Sequence, residues 1–349
     1  PNRMNRYTVR KVSIGIARYL IANVEAPSVA IAYDSRMYSC EFAQVAAETF
    51  AALGIRVHLY PKLMPTPALS FAVRYLRCTA GVMITASHNP ASYNGYKVYG
   101  KDGCQITDQT ADLIQRQIDK ADFFEFLDSE NAKEYPIKPV SQTVEDAYLQ
   151  AELSHRLHVG PVTPLRIVYT PLNGTGLYPV CKTLQRAGYN DLILVESQRY
   201  PDGRFPTCPQ PNPELPEAMA EGLRASKESS ADLLLATDPA CDRVGVAAWD
   251  GISHRLFNGN QVGALLLDYI CQIRKVKGSL PENAIAVKTI VTTPMTEKIA
   301  KFYGIQLQNV LTGFKYIGEL IGQLEAMGED ERFIFGFEES CGYLSATHV

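Results

Sequence analysis

No apolar run in the 349-residue chain reaches the ~18 residues that a membrane-spanning helix needs, so no membrane partner is expected. The first residues, PNRMNRYTVRK, lack the apolar core of a secretory signal. The eight cysteines stand singly, with no CxxC pair. That argues against a zinc ribbon or a disulfide scaffold and suits a reducing, cytoplasmic setting. Charge of either sign is not in excess: the net charge is -3, which gives no general reason to expect nucleic acid, and any anion site must be local. A GxSxG elbow is also absent, so a hydrolase serine would lack its usual frame. What is present is an ordinary globular composition, 46% apolar and 20% charged. The length suits two or three domains at roughly 100–200 residues each.

Short apolar, β-branched runs alternate with longer amphipathic stretches, the pattern of βαβ units around a largely parallel sheet. The pattern occurs three times. The first unit begins with SVAIAYD (28–34) and ends in GVMITASHNP (81–90). The second runs from LRIVYTPLNGTG (165–176) through a Pro-rich loop (199–214) to ADLLLATDPACDR (231–243). The third runs from AIAVKTIVTT (284–293) to RFIFGFEES (332–340). Each ends with an apolar strand opening into a polar loop, at Ser87, Asp238 and Glu338 in turn. Ligands of open α/β sheets bind beyond the carboxyl ends of strands, so these three loops are candidates for one cleft. Linkers are expected near 122–145 and near 250–260. The chain starts and stops abruptly, as a fragment would.

Taken singly, each motif leaves alternatives open. TASHNP reads as a polar turn, a phosphate-binding turn or, less well, a nucleophilic serine. Asp238 and Asp242, four apart on a strand-end loop with Arg243 beside them, suit a hard cation and a phosphate, or else a cap with a surface charge. Glu338 and Ser340 combine a carboxylate with a hydroxyl, which suits sugar hydroxyls or a solvated turn. The Gly-rich loops TPLNGTG (170–176) and LTGFKYIG (311–318) lead into helices, where backbone N–H groups can hold phosphate.

Together, and in this order, the motifs resemble the α-D-phosphohexomutase family of phosphoglucomutases and phosphomannomutases. TASHNPASYNGYKVYG resembles that family's phosphoserine loop, ATDPACDRVG its metal loop, TGFKYIG its third-domain phosphate and sugar loop, and GFEES its sugar loop. YDSR (33–36) and PDGRFPTCPQPNPE resemble further landmarks, and the wording is nearest the bacterial phosphoglucomutase and phosphopentomutase-like branch. The resemblance implies an α/β fold of three related domains with mixed, mostly parallel sheets. These are a phosphoserine domain (1–140), a metal-binding domain (141–255) and a sugar-binding domain (256–349), with the family's fourth domain beyond the chain.

It further implies an intramolecular phosphotransferase acting on hexose phosphates, glucose first and mannose second. Phosphorylated Ser87 would donate to the sugar and be re-formed from a bisphosphorylated intermediate. Mg²⁺, one per chain, would be held by Ser87, Asp238 and Asp242, with hexose 1,6-bisphosphate as activator. Arg36 and Arg243 would steady the phosphoryl oxygens, Lys97 would move the proton and His88 would orient the loop. Glu338, Ser340, Thr312, Gly313 and Lys315 would bind the substrate. The expected partners are small sugar phosphates, to a monomer or weak dimer. Two departures stand out. Asn173 occupies a place where many relatives carry His. The metal loop, D-x-D-x-D-R in the family, has Ala240 at its middle position, which weakens Mg²⁺ binding and turnover. A sugar-phosphate-binding paralogue with impaired catalysis, a phosphopentomutase and a phosphatase acting through Ser87 are the alternatives.

Overall fold

Apolar runs that are covered on both faces form the centre of each sheet, because helices pack on either side of parallel strands. The computed structural model describes residues 3–127, 135–158 and 160–349. The chain divides into two compact units, Pro1–Tyr148 with Asp202–Arg204 and Val349, and Leu149–Pro201 with Phe205–His348.

The first unit holds strands β1 (Ser28–Tyr33), β2 (Arg56–Leu59), β3 (Ala80–Ile84), β4 (Tyr96–Tyr99) and β5 (Ile137–Pro139) in the order β4-β3-β1-β2-β5. β1 pairs in parallel with β2 and β3, and β4 runs antiparallel to β3. Every residue of β1 and β3 is buried. Ile31, Val82 and Ile84 join Phe42 and Phe50 of the helix Ser39–Ala52 in one core. The helix Arg6–Asn23 was not foreseen, although its start carries a capping box. The Asn5 side chain accepts from the Tyr7 and Thr8 N–H groups, and Thr8 answers through its hydroxyl. The expected linker at 122–145 lies partly outside the described residues. Its described end supplies β5 and the start of the helix Gln142–Ser154.

The second unit contains two sheets. One holds β6 (Ile167–Thr170), β7 (Leu192–Leu194), β8 (Leu233–Thr237), β9 (Val244–Trp249) and β10 (His254–Phe257), in the order β10-β9-β8-β6-β7. The other holds β11 (Ile285–Thr289), β12 (Gln306–Val310), β13 (Phe333–Phe337) and β14 (Tyr343–Leu344), in the order β12-β11-β13-β14. Both repeat the frame of the first sheet without its fourth parallel strand, β5: three parallel strands with the earliest in the middle, then an antiparallel partner beside the third. The stretch 250–260, expected as a linker, is a hairpin instead. β10 pairs with β9 from His254 opposite Trp249 to Phe257 opposite Val246, and a helix starts at Gly259. Its short strand alternates too weakly in polarity to be recognised as one.

The helix Gly259–Val276 lies so close to β13 that a Cβ on Gly263 would sit 2.0 Å from Phe337 Cε2. Phe337 is buried and directly precedes Glu338, so this approach sets where the third strand-end loop begins. Alanine normally stabilises a helix interior over glycine by about 1 kcal/mol. Here the clash with a packed ring costs about 1–3 kcal/mol and outweighs it. Gly263→Ala is therefore expected to lower the melting temperature measured by calorimetry. A melting temperature at or above that of the parent would show that the helix moves off the strand freely.

Candidate active-site loops

β3 ends at Ile84 and hands over Thr85, Ala86 and Ser87, all buried. Ser87 sits at φ 51°, a left-handed conformation that costs a non-glycine residue about 1–3 kcal/mol unless its surroundings hold it. The surroundings do so. The Ser87 N–H donates to Thr85 Oγ1 at 2.8 Å, and Thr85 Oγ1 donates to Asp34 Oδ2 at 2.6 Å. Asp34, at the end of β1, takes further bonds on Oδ1 from the Arg36 N–H at 2.9 Å and Ser39 Oγ at 2.7 Å. Burial pushes the Asp34 carboxyl up, while Thr85, Arg36 and Ser39 pull it down.

Arg36 completes the arrangement. Its guanidinium is wholly enclosed, with Nε 3.4 Å from Asp34 Oδ2. Nη2 donates to the Ser87 carbonyl at 2.6 Å and to the Asn89 carbonyl, and Nη1 donates to those of Pro90 at 2.9 Å and Tyr93 at 3.0 Å. These contacts set the Arg36 guanidinium against the carbonyls of the serine loop. His88 Nδ1 stands 3.4 Å from Ser87 Oγ. Lys97 lies on β4 opposite Met83 of β3, four residues before the serine. Gly95 is required where it is: a Cβ there would sit 2.5 Å from the Thr85 carbonyl oxygen.

In the second unit, β8 ends at Thr237 and leads into Asp238, which is fully buried. Asp238 Oδ1 accepts from the N–H groups of Asp242 at 3.1 Å and Arg243 at 3.3 Å, so the loop folds around its own first carboxylate. The Cys241 N–H closes the turn onto the Asp238 carbonyl at 2.9 Å, with Cys241 at φ 53°. Arg243 Nη1 lies 3.9 Å from Glu214 Oε2. An oxygen-only pair, Asp238 and Asp242, fits a hard cation such as Mg²⁺. The buried Ala240 between them adds no donor. Burial pushes the Cys241 thiol up, and a thiol is a soft ligand, so Cys241 suits a hard cation poorly. Among the described residues no group of three or more His, Cys, Asp or Glu side chains is placed to hold a metal ion.

The third loop follows β13. Glu338 Oε1 accepts from the Gly313 N–H at 2.6 Å, at the start of the helix Phe314–Met327, and Ser340 Oγ donates to Glu338 Oε2 at 3.3 Å. Burial raises the Glu338 carboxyl, while the Gly313 N–H and the Arg243 cation lower it. Thr312 is exposed, and Lys315 Nζ lies 4.9 Å from the centre of the Tyr316 ring. The loops of Asp238 and Glu338 meet through their backbones: the Val244 N–H donates to the Cys341 carbonyl at 3.0 Å.

The central N–H groups of TPLNGTG are committed to protein carbonyls rather than to an anion cradle. Those of Asn173, Gly174 and Thr175 donate to the carbonyls of Gln198, Pro171 and Pro239 and so are already engaged within the protein. Asn173 is structural as well: it is buried at φ 56°, and its Nδ2 donates to the Tyr200 carbonyl at 2.8 Å. Sequence reading also passed over Lys288, buried on β11 with Nζ donating to the Thr292 carbonyl at 3.1 Å. A lone charge in the apolar run AIAVKT was the available signal. Asp34 and Thr85 were missed because their importance lies in contacts across the sheet.

Three family profiles match the chain: phosphoglucomutase/phosphomannomutase alpha/beta/alpha domain I over residues 1–125, domain II over 146–251 and domain III over 258–349. The chain is 40% identical to a phosphoglucomutase of Staphylococcus aureus strain USA300, an alignment that covers 99% of this chain. It spans 62% of that relative's length. A phosphoglucomutase/phosphomannomutase family protein from Burkholderia thailandensis shares the fold with a TM-score of 0.79 at 18% identity, over 99% of this chain and 69% of that one. Parafusin from Paramecium does so with a TM-score of 0.71 at 18% identity, over 97% and 63%. With three domain profiles in order along three sheets of one repeated topology, the chain belongs to the α-D-phosphohexomutase family.

Proposed function

We propose that the chain carries the phosphoserine, metal-binding and sugar-binding parts of a mutase that interconverts hexose 1-phosphate and hexose 6-phosphate, with glucose as the favoured sugar. The observation that carries this reading is how Ser87 is held. A serine forced into a left-handed conformation, with its loop carbonyls gathered onto one buried guanidinium, is a rigidly presented nucleophile. A serine serving only as a turn residue requires no such frame.

In the proposed reaction a phosphoryl group on Ser87 Oγ passes to the free hydroxyl of a hexose monophosphate. The P–O bond to Ser87 breaks and one to the sugar forms, while the hydroxyl proton goes to a base and Oγ takes up a proton. The reverse transfer, from the other end of the bisphosphorylated sugar, restores phosphoserine, which is why free hexose 1,6-bisphosphate would activate the enzyme. Lys97 is the proposed proton carrier, and His88 orients the serine hydroxyl from 3.4 Å. Arg243, Asp238 and Asp242 supply charge for phosphate and cation, and Mg²⁺ bound there would neutralise the oxygens of the group in transfer. Glu338 and Ser340 offer acceptors and a donor to sugar hydroxyls, with Thr312, Gly313 and Lys315 beside them. Ala240 supports a second reading, a sugar-phosphate-binding relative with reduced turnover.

Intact-mass and peptide analysis of the purified protein is expected to find a phosphoryl group on Ser87. Ser87→Ala is expected to remove it together with interconversion of glucose 1-phosphate and glucose 6-phosphate, and full mutase activity in that variant would refute the proposal. In Arg36→Lys a single ammonium replaces a fork that serves four carbonyls. It is expected to lose about 3 kcal/mol of stability or more and to lower kcat at least about tenfold with KM nearly unchanged. A rise in KM at constant kcat would place Arg36 on the substrate instead. Ala240→Asp is expected to tighten Mg²⁺ binding about tenfold or more and, because position 240 is closed to solvent, to lower the melting temperature in EDTA. Unchanged Mg²⁺ affinity and unchanged rate would show that the middle carboxylate is immaterial here.

A further inference from the structure

Thr175 is 2% exposed and spends two donors on one acceptor: its N–H and its Oγ1 both reach the Pro239 carbonyl, at 3.1 and 2.9 Å. Pro239 lies between Asp238 and Ala240, inside the aspartate loop. The approach is close enough that a Cβ on Gly174 would sit 2.3 Å from Pro239 Cα, so the glycine is needed for contact rather than for a ligand. The loop that carries Thr175 is itself anchored. Thr170 Oγ1 donates to Gln198 Oε1 at 2.7 Å and accepts from the Leu172 N–H at 3.0 Å, and the Asn173 N–H donates to the Gln198 carbonyl at 2.8 Å. Beneath it Tyr169 Oη lies 2.9 Å from Thr237 Oγ1, at the residue that precedes Asp238.

We propose that Thr175 is a positioning residue for the cation site, fixing through the Pro239 carbonyl the peptide that sets the spacing of the Asp238 and Asp242 carboxylates. The inference rests on the reading of those aspartates as Mg²⁺ ligands. Proline offers no N–H of its own; the Cys241 N–H bonds the Asp238 carbonyl and the Asp238 carboxylate gathers the Asp242 and Arg243 N–H groups, while the Pro239 carbonyl between them is held from outside the turn by Thr175. With only two carboxylates in the loop and Ala240 between them, affinity depends on holding those two in register rather than on a surplus of ligands. The Gly-rich loop thus acts on the cation from outside its ligand set.

The test is Mn²⁺ binding to the intact protein, followed by loss of the free-ion electron paramagnetic resonance signal, with thermal melts in EDTA alongside. Thr175→Val, which keeps the shape and removes the hydroxyl, is expected to weaken Mn²⁺ binding about tenfold, and Thr175→Ser to restore it to within about threefold of the parent. A Thr175→Val protein that is folded and binds Mn²⁺ like the parent overturns the proposal, as does a Thr175→Ser protein as weak as Thr175→Val. Should Thr175→Val fail to fold, Thr175→Cys, with its weak thiol donor, is read in the same way. Asp238→Asn separates the two levels. If it abolishes binding while Thr175→Val does not, the positioning claim alone falls; if it binds normally, the ligand reading falls and the claim with it.

Discussion

The contact between Asp34 and Arg36 is the constraint on which the serine loop depends. Two opposite charges are wholly enclosed, 3.4 Å apart at their nearest recorded atoms. Taking such a pair out of water costs several kcal/mol per ion, and attraction alone rarely recovers it. Here the deficit is met by hydrogen bonds. Asp34 takes three, from Arg36 N–H, Ser39 and Thr85, and the guanidinium gives four to loop carbonyls. The result is specificity of shape rather than stability. Four loop carbonyls are drawn to one point, and Ser87 is held beside them in a left-handed conformation. The cost of the buried pair and the cost of the left-handed serine are thus borne by one network.

The same economy of design recurs. In the first and second sheets a threonine at a strand end accepts the N–H two residues on and donates to a buried oxygen: Thr85 to Asp34, Thr170 to Gln198. In all three sheets the loop after the third parallel strand contains a left-handed non-glycine residue, Ser87, Cys241 or Cys341. A left-handed residue reverses the chain sharply, so the polar residues beside it stay at the carboxyl end of the sheet instead of following the next strand away. The repeat is one of geometry, and different side chains are mounted on it: a hydroxyl, two carboxylates, a carboxylate with a hydroxyl.

This explains which parts of the molecule were legible in its sequence. β1, β3, β6, β11 and β13 are buried along their whole length and largely apolar, and such runs are visible in one dimension. The motifs at their ends were visible for the same reason, as polar breaks in apolar runs. The antiparallel partners β4, β9 and β10 are half-exposed, and their weak alternation hid them. Roles were less legible than places. An arginine near a serine loop is equally consistent with clamping a ligand or clamping the loop, and the carbonyl contacts of Arg36 are invisible in one dimension. TPLNGTG looked like an anion cradle because a string of glycines does not reveal that its N–H groups are already taken by Gln198, Pro171 and Pro239.

The second unit carries the argument one step further. Glu338 is buried, which disfavours its charge, yet it accepts the Gly313 N–H at 2.6 Å, a bond that strengthens when the carboxyl is ionised. The Arg243 cation favours that ionised form, and the next residue, Val244, is tied by its N–H to the Cys341 carbonyl. Arg243 therefore sits at the junction of three elements: the turn around Asp238, the loop of Glu338 and the start of the helix Phe314–Met327. A change in the charge near Asp238 and Asp242 alters the field on Arg243, and through it the ease with which Glu338 holds its proton and grips Gly313. The charge of the aspartate turn and the geometry of the Glu338 loop are in this way linked by electrostatics and one shared backbone bond.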